Sequence, residues 1–199
     1  MTNDSVRISI AIVKGSVRPN NYTSKATALV VDELERQPDV DVQVIDPGVL
    51  NLALPGMTSE GSREQELQAT IRNAGGVILA TPEYHGSFSS VMKLVIENLG
   101  FPSVLSGKPV ALLGVAAGRI GAIKSLEHLR SVVSHIGGIV LPGPVSVAGV
   151  RGYFDEAGQI TDPATDKAIR SVATNLLTYV RSRVSEVRCL EEMVRGKAA

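Results

Sequence analysis

Positions 6–13 read VRISIAIV, an apolar run rich in β-branched side chains that ends at Gly15, the pattern of a buried strand entering a tight loop. From Thr23 the period changes. Ala26, Leu29, Val30 and Leu34 share one face of a helix that Thr23 or Ser24 is placed to cap. Val40, Val42 and Val44 alternate with Asp41 and Gln43, which predicts a strand wetted on one side, near a sheet edge. A long connection over 47–62 leads to a helix over 63–73, stopped by Gly75 and Gly76. There follow a short apolar strand at 77–80, a loop at 82–87 and a helical pattern in Phe88, Val91, Met92, Val95 and Leu99. Strand 108–115 precedes glycines at 118 and 121 and a helix within 119–136, marked by Ile123, Leu126, Leu129, Val133 and Ile136. A further strand begins at 139–141, and from Pro163 onward Ile169, Val172, Leu176 and Val180 mark a last amphipathic helix. Residues 184–199 are charged and less patterned, and read as a helical extension or a tail.

Strands and helices therefore alternate, with crossovers long enough to put helices on both faces of a parallel sheet. Such a sheet binds ligands at the carboxyl ends of its strands, beside the point where strand order reverses. A chain of 199 residues suits one domain, here 1–183 with 184–199 as its extension, and no internal repeat interrupts it. Twenty Lys and Arg balance twenty Asp and Glu, which argues against nucleic acid and anionic membranes as partners. With 4% aromatic residues and no Trp, a base-stacking platform is equally disfavoured. A single cysteine, Cys189, forms no internal disulfide, and the polar residues 1–5 carry no signal-peptide pattern. No apolar run reaches the roughly 18 to 20 residues that cross a bilayer. A cytoplasmic protein is expected.

The loops after the first, third and fourth strands carry the candidate chemistry. The first runs Gly15-Ser16-Val17-Arg18-Pro19-Asn20-Asn21-Tyr22-Thr23-Ser24 and combines small residues, hydroxyls, amides, one Arg and a helix start, the ingredients of a phosphate cradle. Neither the Walker spacing nor Gly-x-Gly-x-x-Gly is present, and an ordinary polar strand-to-helix turn fits as well. The second is Thr81-Pro82-Glu83-Tyr84-His85-Gly86-Ser87, where Pro82 stiffens the exit, Tyr84 and His85 offer flat surfaces, and Gly86 permits close backbone approach. Taken alone, Glu83 and His85 suggest an acid/base pair or two metal ligands. No third ligand stands at metal spacing, since His128 and His135 lie about two turns apart on a helix and read as surface or packing residues. The third segment, Gly114-Val115-Ala116-Ala117-Gly118-Arg119, lacks bulk that would obstruct a bound ring, and Arg119 suits a phosphate or carboxylate.

Gly15-Ser16-Val17-Arg18, then Thr81 to Ser87, then 114–122, taken in this order, resemble the NADPH-dependent FMN reductase family of flavodoxin-like proteins, which includes FMN, azo-dye, quinone and chromate reductases. The resemblance spans about residues 6–150. It implies a three-layer α/β/α fold around a five-stranded parallel sheet of order 2-1-3-4-5. It also implies that Gly15, Ser16, Arg18, Asn20, Asn21, Tyr22, Thr23 and Ser24 hold the FMN phosphate. Pro82, Glu83, Tyr84, His85 and Gly86 match the loop along the isoalloxazine, presenting backbone N–H groups to its pyrimidine edge. Gly114, Ala116, Ala117, Gly118 and Arg119 match the segment on the other side of the flavin. The chain departs from the family pattern at His85, where Asn is common, and at Asn20-Asn21-Tyr22, where Ser or Gly is more usual.

On this resemblance the flavin carries the chemistry and the protein needs no catalytic side chain. NADPH, or NADH, gives hydride to FMN, and a small-molecule acceptor such as free flavin, a quinone or an azo compound then takes the electrons in a ping-pong cycle. Arg18 or Arg119 is the candidate for the NADPH 2′-phosphate. A flavodoxin-like electron carrier and a flavin-binding regulatory protein are the competing functions, and zero net charge counts against a carrier that docks by charge. Family members are usually homodimers or homotetramers, for which helices 88–99 and 119–136 offer faces.

Overall fold

The computed structural model describes residues 7–196, with side chains described as far as residue 183. The polar start at 1–5 and the side chains of the extension, Cys189 among them, lie outside the described residues. The chain runs β1 (Ile8–Lys14), α1 (Tyr22–Glu35), β2 (Val40–Ile45), α2 (Glu64–Asn73), β3 (Gly76–Tyr84), β4 (Ser87–Phe88), α3 (Ser90–Glu97), β5 (Pro109–Val115), α4 (Ile123–His135), β6 (Ile139–Val140), β7 (Val145–Val147) and α5 (Pro163–Gly196).

The strands pair in the order β2-β1-β3-β5-β6, parallel throughout, with β4 antiparallel on β3 and β7 parallel on β5. This is the expected 2-1-3-4-5 arrangement, with two short strands added that the sequence pattern did not indicate. The last expected strand is in two pieces. Pro142-Gly143-Pro144 interrupts it, so that β6 pairs beside Pro109 and Val110 while β7 pairs beside Leu113 to Val115.

The period-2 alternation of the strands sorts the core into two layers. Ile10, Ile12, Ile78 and Leu113 pack with Val30 and Leu34 of α1 and with Leu176 and Val180 of α5. Val13, Val77, Leu79 and Leu112 face Leu67 and Ile71 of α2, Met92 of α3, and Leu126 and Leu129 of α4. Strand β2 lies at the sheet edge, and its exposed middle explains the alternation of Val40, Val42 and Val44 with polar residues.

Four boundaries differ from the expected ones. Helix α1 is capped by Asn21, whose side chain accepts from Ser24 N at 2.7 Å, and neither Thr23 nor Ser24 has that role. Thr23 is instead buried inside the helix, its carbonyl accepting from Thr27 Oγ1 at 2.8 Å. Helix α4 begins at Ile123 and not near 119, because Gly121 has a positive φ of 83° and Ala122 N donates to Ser146 Oγ at 2.8 Å. Strand β3 continues through Pro82 to Tyr84 where a loop was expected, and Phe88 belongs to β4 and not to the following helix, because residues 83–84 find antiparallel partners in 87–88.

Candidate functional site

Strand order reverses between β1 and β3, so the carboxyl ends of these two strands open the crevice where a sheet of this kind receives ligands. The loop after β1 leaves under tight constraint. Gly15 N donates to Ala80 O at 2.6 Å, and a Cβ on Gly15 would stand 2.6 Å from the same oxygen, so β3 leaves no room for a side chain there. Ser89 draws three segments together: its Oγ donates to Gly15 O at 2.5 Å and accepts from Met92 N at 3.0 Å, while its N donates to Thr81 Oγ1 at 3.2 Å. Sequence reasoning missed Ser89, although a Ser three residues before Met92 is an N-cap signature.

Ser16 is 3% exposed, and its Oγ has no hydrogen-bond partner. A buried hydroxyl without a partner is costly, and it marks a place where something beyond the chain completes the bonding. Asn20 has a positive φ of 51°, turning the loop so that Asn21 serves two ends: Nδ2 donates to Arg18 O at 2.6 Å while Oδ1 caps the helix. The N–H groups of Tyr22 and Thr23 open α1 and have no intrahelical acceptor, so they and the positive end of the helix dipole face the loop. A cleft of about 900 Å³ lies against this loop, lined by Ser16, Arg18, Asn20, Asn21 and Ser24 and, beyond the expected set, by Lys14, Lys25 and Gln159. It does not extend to 82–86 or 114–119. At its edge Lys14 Nζ pairs with Asp46 at 2.6 Å. Burial raises the Asp46 pKa, but hydrogen bonds from Lys14 and Gly48 N outweigh it and hold the carboxyl below its ordinary range.

The second loop is a β-hairpin. Glu83 pairs with Phe88 and Tyr84 with Ser87, leaving His85 and Gly86 as a two-residue turn with φ of 51° and 74°. Two positive φ values in succession define the type I′ turn that matches strand twist. Glu83 and His85 do not act as a pair: Glu83 Oε2 accepts from Ser125 N at 3.1 Å, satisfying the start of α4, and His85 is exposed at the turn. His128 is 3.2 Å from Ser87 Oγ through Nδ1 and His135 closes α4. Among the described residues no three His, Cys, Asp or Glu side chains are grouped to hold a metal ion.

In the third segment the small residues have separate causes. A Cβ on Gly114 would lie 2.7 Å from Ala122 Cβ and 2.8 Å from Leu126 Cγ, so this glycine admits α4 against the sheet. Ala116 is buried, its N donating to Val147 O at 2.8 Å and its O accepting from Val150 N at 3.0 Å. Ala117, Gly118 and Arg119 emerge into solvent, and nothing lies within 4 Å of a Cβ on Gly118. Only one described contact joins the first loop to the hairpin by side chains: the Arg18 guanidinium stands 4.6 Å from the centroid of the Tyr84 ring. The unpartnered Ser16 hydroxyl, the open N–H groups of α1 and the Arg18 guanidinium are the donor set a phosphate monoester needs, and these residues fit the phosphate end of FMN.

A family model described as NADPH-dependent FMN reductase matches residues 8–151. The chain is 27% identical over 179 residues to an NAD(P)H-dependent FMN reductase of Pseudomonas aeruginosa, covering 87% of this chain and 96% of that one. It is also 27% identical over 181 residues to a 2-hydroxy-1,4-benzoquinone reductase of Burkholderia, covering 88% and 98%, and 25% identical over 175 residues to an NADPH azoreductase of Bacillus, covering 86% and 94%. In fold it is similar to the flavoenzyme NAD(P)H:(acceptor) oxidoreductase FerB of Paracoccus denitrificans, with a TM-score of 0.72 at 21% identity over 88% of this chain and 98% of that one. A flavodoxin of Streptococcus pneumoniae has a TM-score of 0.55 at 16% identity, over 86% and 98%. The family match takes in β1 with its loop, the β3–β4 hairpin and the segment after β5, and by it the chain belongs to the NADPH-dependent FMN reductases, oxidoreductases of flavodoxin-like fold that use FMN with NADPH or NADH.

Proposed function

We propose that this chain holds FMN across the carboxyl ends of β1, β3 and β5 and passes electrons from NAD(P)H to a small, flat acceptor such as free flavin, a quinone or an azo compound. The observation that carries the reading is the Ser16 hydroxyl, buried without a partner beside the start of α1. FMN, when bound, supplies the two-electron chemistry, taking hydride from the nicotinamide and giving electrons to the acceptor. Ser16, Arg18 and the N–H groups of Tyr22 and Thr23 hold its phosphate, with Asn20, Asn21 and Ser24 shaping the loop. The hairpin of Pro82, Glu83, Tyr84, His85 and Gly86 offers backbone N–H groups to the pyrimidine edge, where they stabilise negative charge. Gly15 and Gly114 allow the close packing that fixes both walls, while Ala116, Ala117, Gly118 and Arg119 bound the far side. Arg119, exposed and beyond the cleft, suits the nicotinamide dinucleotide better than the FMN phosphate.

Exposed Ile120 and Ile123, beside Arg119 and the start of α4, support a flat apolar acceptor. The relatives named as benzoquinone reductase and azoreductase support the same class. We take residues 1–183 as one FMN-binding unit with 184–199 as its extension, working in the cytoplasm as a homodimer or homotetramer. Fully exposed Phe101, beside a hollow lined by Ile96, Val132 and Ile136, supports association through α3 and α4. No described helix is long and apolar enough to cross a membrane.

The test is a visible spectrum of the protein after FMN addition and desalting, followed by anaerobic NADPH and, separately, NADH. Retained yellow colour that bleaches rapidly with either donor is expected. Retained colour that neither donor bleaches refutes the reductase reading in favour of a carrier, and no retained colour refutes tight binding at Ser16.

A further inference from the structure

Arg18 is held at both ends. Its carbonyl accepts from Asn21 Nδ2 at 2.6 Å, and its guanidinium stands 4.6 Å from the centroid of the Tyr84 ring. Of the other cations at the cleft, Lys25 lies over the Tyr22 and Phe154 rings of its own side of the loop, and the remaining two are paired with carboxylates. Lys14 faces Asp46 and Arg170 faces Asp32 and Asp166, whereas no ion pair among the described residues includes Arg18. The difference matters chemically. A carboxylate holds a guanidinium by occupying its N–H fork and cancelling its charge, while an aromatic face holds it by the plane and leaves the edge donors open. The Tyr84 backbone is fixed by its pairing with Ser87 of β4, which sets where the half-buried ring emerges.

We propose that Tyr84 is a positioning residue for anion binding: its ring holds the Arg18 guanidinium with the N–H fork free, ready for the phosphate of FMN. This inference rests on the reading of 16–24 as the FMN phosphate loop. One contact then couples the two halves of the site, the hairpin for the ring system and the loop for the phosphate. It assigns a phosphate-dependent effect to a residue that the family resemblance places at the isoalloxazine.

FMN and riboflavin differ only in the phosphate, so the ratio of their dissociation constants isolates it. The full chain, freed of flavin, is titrated with each by flavin fluorescence. Wild type prefers FMN, and Arg18→Gln lowers that preference about tenfold or more, as loss of a charge-assisted hydrogen bond does. Tyr84→Leu lowers it roughly two- to fivefold, the size of an exposed cation–π contact, and Tyr84→Phe leaves it intact. In the Arg18→Gln background, Tyr84→Leu changes the ratio no further. Circular dichroism checks the fold, and Tyr84→Met carries the same test if the leucine variant does not fold. A full preference in Tyr84→Leu, an equal loss in Tyr84→Phe, or a loss that persists without Arg18 overturns the positioning role while the phosphate loop stands. Equal affinity of the wild type for FMN and riboflavin overturns the phosphate reading, and this inference with it.

Discussion

Replacing Gly114 by alanine puts a methyl group 2.7 Å from Ala122 Cβ, 2.8 Å from Leu126 Cγ and 3.0 Å from Leu126 Cδ1. Carbon atoms rest at about 3.5 to 4.0 Å, so the start of α4 must retreat by about 1 Å or Leu126 must leave its rotamer. Leu126 is 5% exposed and packed in the layer with Leu129 and Val133, which removes the easy escape. Overpacking of this kind costs about 1 to 3 kcal/mol. With a urea m-value of roughly 2 kcal/mol/M, the unfolding midpoint falls by about 0.5 to 1.5 M, read by circular dichroism at unchanged slope. Gly118→Ala is the control. Its Cβ meets nothing within 4 Å, so its midpoint stays within about 0.25 M of wild type. A midpoint for Gly114→Ala that equals or exceeds that of Gly118→Ala refutes the packing argument.

Other outcomes follow from the same geometry. Ser16→Asp sets a carboxylate against the FMN phosphate, so the desalted protein should lose its yellow colour, and normal FMN retention would remove Ser16 from the phosphate site. Gly86→Val forces a β-branched residue to a φ of 74°, at a cost of about 1 to 2 kcal/mol, and should lower FMN affinity; unchanged flavin content would place the ring elsewhere. His85→Asn keeps the positive φ with a residue better suited to it and should raise the melting temperature by about 1 to 2 °C, whereas a fall would show that the imidazole stabilises the turn. The Asp32 carboxyl lies below its ordinary pKa of 3.8 through the hydrogen bond from Arg170, and Asp39 likewise through Arg181. These depressed groups add stability that is present above about 3.8 and lost as pH falls through their lower folded values, so urea midpoints should drop as the pH is taken below about 4. Arg170→Met should make that drop shallower, and an equal slope would exclude the Asp32 contribution.

The sheet was legible because its information is local and periodic. The isoleucines at 8, 10 and 12 alternate with Ser9 and Ala11, and α1 repeats its apolar face from Ala26 to Leu34, so each element announces its own layer. The strand at 139–141 was legible, but its break and the short strands β4 and β7 were not. The three residues of β7 exist because β5 offers a bare edge beyond Pro142-Gly143-Pro144, a fact of pairing and not of pattern. The hairpin escaped for another reason. Asn-Gly or Asp-Gly between two runs signals a type I′ turn strongly, and here His85 fills the first position, so Pro82 dominated the reading and suggested a loop. The cap of α1 lies two or three residues before the expected Thr23 or Ser24: Asn21, Thr23 and Ser24 are all capping residue types, and only the fold shows that Thr23 is buried.

The motif glycines show where sequence reading of a site reaches its end. Four of them look alike on the page, and all suggest a backbone kept bare for a ligand. Gly15 is bare because Ala80 O stands in the way, and Gly114 because α4 does, so the protein's own packing accounts for both. Gly86 is required by a turn whose φ of 74° excludes most side chains. Gly118 alone has open space above it, a φ outside the left-handed region and a position at the rim after β5. Neither packing nor backbone demands a glycine there. Substituting it therefore separates ligand from fold where the other three cannot: at Gly15, Gly86 and Gly114 a change in flavin affinity mixes binding with folding strain, and at Gly118 it reports what comes to rest over the loop.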